Sequence, residues 1–166
     1  MQCRLAGLLI SLSLLMVATT AASAQDYKKG DEAYAREDYA TAFKEFSALA
    51  KQGYARAQFT LGVMYNNANG VTQNYREAVK WYRLAAEQGY GKAQTNLGMM
   101  YYFGHGVLQD NIYAYMWTNI GASKETRKYD RGLMIRDDIK KRLTASQLEK
   151  AQQLARECVA RNYKGC

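Results

Sequence analysis

The apolar and polar positions of this chain repeat with a fixed period. Laid over each other, residues 39–74 and 75–110 match at 16 positions, among them Tyr39/Tyr75, Ala42/Ala78, Gln52/Gln88, Gly53/Gly89, Gln58/Gln94 and Leu61/Leu97. Ala114, Trp117 and Ala122 start a third copy in register with Ala78, Trp81 and Ala86, after which the pattern diverges. A period between about 20 and 50 residues marks stacked supersecondary units, none of which buries its apolar face alone. Within a unit, Ala78, Val79, Tyr82, Ala85 and Ala86 follow helical spacing, so a helix is expected from Tyr75 until Gly89, a residue free to adopt positive φ. A second helix follows from about Gly91 to Phe103, and Gly104, His105 and Gly106 turn the chain into the next unit. Gly62 and Gly98 fall inside the second helices, where glycine costs about 1 kcal/mol relative to alanine. The recurrence of that loss predicts helices in close approach at both positions.

The ends of such an array need caps. Asp26 to Arg36 has a helical pattern that could cover the first repeat. Downstream, Lys124 to Leu143 forms a basic amphipathic stretch carrying Leu133, Met134, Ile135 and Ile139. Thr144 and Gln147 then form a capping box that opens a last helix through Leu148, Ala151, Leu154, Ala155 and Cys158. About eight helices and no sheet are expected.

The frame of Ala57, Leu61, Gly62, Tyr65, Gly70 and Val71, followed by Ala78, Trp81, Tyr82, Ala85, Ala86, Gln88 and Gly89, resembles the Sel1-like repeat, a relative of the tetratricopeptide repeats. Ala93, Leu97, Gly98, Tyr101, Gly104, Gly106, Val107 and Ala114 continue it. The resemblance covers about residues 39–122 and implies an all-α, right-handed α-α superhelix. The chain departs from the frame at Ala68, which stands where the next repeat has Gly104, so a tighter or strained turn is expected there. The expected organisation is a signal peptide over 1–24, a capping helix over 25–38, repeats over 39–74, 75–110 and 111–122, and basic capping helices over 123–166.

Residues 1–24 have the form of an export signal: Arg4, an apolar run from Leu5 to Ala18, and Ala22, Ser23 and Ala24 before the cleavage point. The apolar run is shorter than the ~20 residues of a spanning helix. Cleavage would start the mature protein at Gln25 and remove Cys3, leaving Cys158 and Cys166 in an oxidising compartment. Eight residues of continuous helix would hold their Cα atoms about 12 Å apart, beyond disulfide reach. A bridge therefore requires the last helix to end near Arg161 or Asn162 and the chain to fold back through Gly165. The other reading, two free thiols for redox or metal chemistry, lacks a CxxC spacing or a partner histidine.

Internal repetition also separates structural positions from free ones. Ala57, Gln58, Leu61, Gly62, Met64 and Tyr65 recur unchanged in the second helices, whereas Arg56, Phe59, Val63, Asn66 and Asn67 become Lys92, Thr95, Met99, Tyr102 and Phe103. The resemblance implies that this helix lines a concave groove, and the varying stripe would then face a partner peptide or helix. The competing reading places Phe59, Met99 and Phe103 in inter-repeat packing. Trp81 and Trp117 occupy the position of Glu45, which suggests partial exposure alongside a packing role.

Nothing in the sequence assembles catalytic chemistry. His105 reads as an exposed turn residue without a triad partner, its two glycines do not make a phosphate loop, and Asp137 and Asp138 diverge on a helix. No enzyme activity, metal or cofactor is expected. The formal charge of +8 is uneven: residues 25–122 hold 10 Lys/Arg against 9 Asp/Glu, and residues 123–166 hold 12 against 6. Lys124, Arg127, Lys128, Arg131, Arg136, Lys140, Lys141 and Arg142 carry the surplus, as either a solvated helix face or a contact for an anionic membrane or wall surface. Nucleic acid is not expected for an exported chain. The leading expectation is a periplasmic or secreted bacterial scaffold, adaptor or modulator that binds another envelope protein. An attachment module for an anionic surface comes second, and a cell-wall-active enzyme or its regulator third.

Overall fold

The computed structural model describes residues 27–122 and 131–166. Eight helices and no strand occur among them: α1 over 27–35, α2 Tyr39–Lys51, α3 Ala55–Asn67, α4 Tyr75–Ala86, α5 Gly91–Phe103, α6 Asn111–Ala122, α7 Arg131–Arg142 and α8 Ala145–Ala160. From α2 to α6 each helix packs on the next, as in a solenoid, and α6 also receives both α7 and α8. The signal-like segment, Lys124, Arg127 and Lys128 lie outside the described residues, as does the side chain of Arg131.

The repeated residues explain the repeated helices. Asp38, Asn74 and Asp110, spaced 36 apart, accept hydrogen bonds from the first-turn amides of α2, α4 and α6, satisfying groups a helix start leaves unpaired. The tight turns between paired helices use Gly53 and Gly89, with φ of 94° and 79°. The buried Gln58 and Gln94 amides donate to the carbonyls of Ala50 and Ala86, ending α2 and α4. Gln88 extends this link between units, donating to the side-chain oxygen of Gln58 at 2.8 Å and to the carbonyl of Gly53 at 2.9 Å.

Gly62 and Gly98 mark close helix crossings, as their positions inside α3 and α5 predict. A Cβ on Gly62 would stand 2.5 Å from two ring carbons of Tyr82. At the Ala68 turn the expected strain is present: this alanine closes α3 at φ 60°, and its counterpart Gly104 closes α5 at φ 70°. The final helix starts with a capping box between Thr144 and Gln147. It ends at Ala160, after which Asn162, Tyr163 and Gly165 take positive φ and return the chain to a Cys158–Cys166 disulfide with Cα atoms 5.6 Å apart.

Three linked clusters form the core, under α1–α3, between α4 and α6, and beneath α7 and α8. Trp117 is fully buried, which corrects the expectation of partial exposure. Its repeat counterpart Glu45 is tolerated for a different reason. That side chain is itself only 13% exposed and pairs with Lys29 of α1 at 2.5 Å. In α7, Ile139 is buried but Met134 is 67% exposed, so Met134 does not belong to the packed face of that helix.

Candidate functional site

The varying stripe of α3 and α5 does not stay together. Val63, Asn66, Asn67, Met99 and Phe103 line one hollow of about 300 Å³. Tyr75, Tyr82, Asn96, Met100 and His105 complete it. A neighbouring hollow of about 280 Å³ between α1 and α3 takes Phe59, with Val63 on the boundary of both. Phe59 also packs on the rings of Tyr82 and Tyr90, at 5.9 and 5.2 Å between centroids.

The other four expected groove residues are placed elsewhere. Arg56 pairs with Asp31 at 2.6 Å and lies over the Tyr27 ring, which ties it to α1. Lys92 is exposed on the first turn of α5, outside the lining of the hollow. Thr95 is buried at the crossing of α5 and α6, its hydroxyl 2.5 Å from where a Cβ on Gly121 would stand. Tyr102 turns toward α7, where its hydroxyl donates to Asp138 at 2.6 Å and Arg142 covers its ring. Arg56 and Lys92, the two basic residues of the stripe, therefore stay out of the hollow. The hollow is aromatic and amide-lined, with no Lys, Arg, Asp or Glu among the described residues that line it.

His105 is a second correction. It is half-buried, not an exposed turn residue. Its ring stacks on Tyr75 with centroids 4.4 Å apart and planes at 12°, and on Phe103 at 5.5 Å and 27°. Gly106 lets this turn approach α4, since a Cβ there would run into the backbone of Tyr75 and Arg76. Tyr82, deeper in the hollow, has its phenol pushed up to about 12 by burial, partly countered by a hydrogen bond with Asn96. It is a neutral hydrogen-bonding group at every physiological pH. Asn96 lies outside the expected stripe and His105 was expected only as an exposed turn residue, although both differ from their repeat counterparts, Thr60 and Asn69.

The basic C-terminal face is thinner than its sequence. Arg136 pairs with Asp137 at 2.8 Å and Arg142 with Asp138 at 3.2 Å, leaving Lys140 and Lys141 as the exposed lysines of α7. Among the described residues no group of three or more His, Cys, Asp or Glu gathers in a way that could hold a metal ion, and no helix is long and apolar enough to cross a membrane.

Paired helices at a 36-residue period, stacked through repeated amide and glycine contacts around an amide-lined hollow, define an α-solenoid of the kind that serves as a protein-interaction module. The chain carries two Sel1 repeats, matched over residues 55–90 and 91–125. These units begin at α3 and α5, half a repeat out of phase with the 39/75 frame but with the same period. Among solved structures, the chain is similar to c5321, a protective antigen present in uropathogenic Escherichia coli strains displaying an SLR fold. That match has 29% identity and a TM-score of 0.77, over 88% of this chain and 32% of the antigen. A Sel1 repeat protein from Oxalobacter formigenes matches at 35% identity and a TM-score of 0.51, over 52% of this chain and 66% of that one. The chain thus spans about a third of the length of the antigen it matches. No curated protein matches its sequence.

Proposed function

We propose that this protein is an exported, non-enzymatic scaffold or modulator that holds a partner polypeptide in the hollow between α3 and α5. The observation that carries the reading is the convergence of Val63, Asn66, Asn67, Met99 and Phe103, all repeat-variable, on one concave site. These five vary between otherwise matching units, whereas Leu61, Gly62, Leu97 and Gly98 recur unchanged. Because the five line the hollow, they are available for recognition. Export is supported by the signal-like first 24 residues and by the Cys158–Cys166 disulfide, a bond at home in an oxidising compartment. Crosslinking and recovery of partners from the native envelope test the reading. Met99→Lys should abolish recovery of a specific partner without loss of helical content, and undiminished recovery contradicts the assignment.

A second reading rests on α7, where Lys140 and Lys141 are exposed on the same helix as Met134. That pattern suits contact with an anionic surface. Salt-sensitive binding to anionic vesicles, lost on Lys140→Gln with Lys141→Gln, supports it, and absence of binding at low salt contradicts it.

A further inference from the structure

The fold does not require Phe103 and His105. One repeat earlier the same positions hold Asn67 and Asn69, in a turn of the same construction. Both turns reverse at a positive-φ residue whose amide donates to the carbonyl of Met64 or Met100. Both also close with the amide of Asn74 or Asp110 donating to the carbonyl of Tyr65 or Tyr101. In the first turn Asn69 donates to the Tyr34 hydroxyl at 2.6 Å. In the second, that polar contact is replaced by the stack of Tyr75, His105 and Phe103, with Phe103 still 50% exposed. Core packing does not account for an aromatic ring left half in water where the same fold elsewhere accepts asparagine.

The stack borders the hollow that also contains Met99 and the amides of Asn66, Asn67 and Asn96. Asn66 donates to Asn67 at 2.7 Å and Asn96 bonds Tyr82, so the Asn66 oxygen and the Asn67 nitrogen are the amide groups offered to a ligand. An asparagine amide has both a donor and an acceptor, the complement of a peptide N–H and C=O. A charged side chain entering here would lose hydration without meeting an opposite charge among the lining residues. We propose that the site recognises an uncharged stretch of extended peptide, seating one bulky apolar side chain against Phe103 and Met99 while the asparagines hold its main chain. This rests on the reading of the hollow as a docking site and specifies the chemistry of its occupant. A half-exposed aromatic ring, held in place by a stack beneath it, is the kind of anchor that dominates interface energetics.

The test uses the full chain, immobilised and screened with a display library of random 12-residue peptides. Enriched peptides should share one Leu, Met, Phe or Trp with uncharged neighbours. Their affinity should fall about tenfold or more on Phe103→Ser and on Met99→Lys. Leu108→Ser should leave it unchanged, because Leu108 is 90% exposed in the same turn but lines a different hollow. Circular dichroism confirms that each variant is folded. Peptides rich in Asp, Glu, Lys or Arg, or bound with sensitivity to Met99→Lys but not to Phe103→Ser, overturn the proposal and leave the docking reading standing. Peptides that lose affinity equally on Leu108→Ser overturn it as nonspecific apolar adhesion. Failure to enrich any peptide sensitive to either hollow variant overturns both the proposal and the docking reading.

Discussion

Gly98 of α5 and Thr118 of α6 are in such close approach that a Cβ on the glycine would stand 2.6 Å from the threonine methyl and 2.8 Å from its backbone nitrogen. The carbonyl of Ala114 closes the space further, at 2.9 Å. Two of these three neighbours are backbone atoms, which cannot turn aside as a side-chain end can. Gly98→Ala gains about 1 kcal/mol of helix propensity but forces the helices apart, at a cost of roughly 1–3 kcal/mol or more for overpacking. Net destabilisation is expected as a lower urea midpoint. Thr118→Ser in the same chain should fail to restore it, because the backbone contacts remain.

Ala68 gives the opposite sign. Its φ of 60° costs an L-residue roughly 1–2 kcal/mol, and glycine relieves this at a smaller entropic cost. Ala68→Gly should stabilise the protein by about 0.5–1 kcal/mol, and Gly104→Ala should destabilise it by a similar amount. Thermal unfolding of the two variants against the parent checks both signs at once.

The disulfide closes a short loop, with a sequence separation of 8. Loop-closure entropy limits its contribution to about 2.5 kcal/mol. Cys166→Ser should lower the melting temperature by roughly 5 °C. It should also raise amide exchange in the turn containing Asn162 and Tyr163, whose positive φ the bridge holds in place. Exchange in α3 and α5 should not change.

The contact between Tyr102 and Asp138 makes the docking of α7 depend on pH. The Tyr102 hydroxyl beside Asp138 holds that carboxyl below its ordinary 3.8, so its contribution is present above that value and disappears as pH falls through the lowered one. The phenol is raised above 10.0, first by its bond to Asp138, so its contribution is present below 10.0 and disappears as pH rises through the raised value. Between those limits α7 should show constant protection from hydrogen exchange, and beyond them it should loosen. Tyr102→Phe should lower the plateau and remove the alkaline limb.

Much of the scaffold was legible because each repeat repeats its own instructions. The bounds of α5, the close approaches at Gly62 and Gly98, the strain at Ala68 and the capping box of Thr144 and Gln147 all follow from local chemistry written in neighbouring residues. The site was less legible because it depends on contacts between elements. Glu45 suggested an exposed position, yet Lys29 of another helix neutralises it, and Trp117 fills the same position completely. Tyr102 and Phe103 are adjacent, yet one turns to Asp138 and the other to His105. Periodicity places residues on a helix face, but which neighbour covers that face depends on the next helix in the stack.

The most direct test of the docking hollow is site-specific photo-crosslinking in living cells, with a benzophenone side chain at position 103 and, as a control, at the exposed Lys80 of α4. Docking in the hollow predicts a discrete adduct from position 103 that disappears when Met99→Lys is added, and no such adduct from position 80. The same pattern from both positions, or an adduct at 103 indifferent to Met99→Lys, contradicts it.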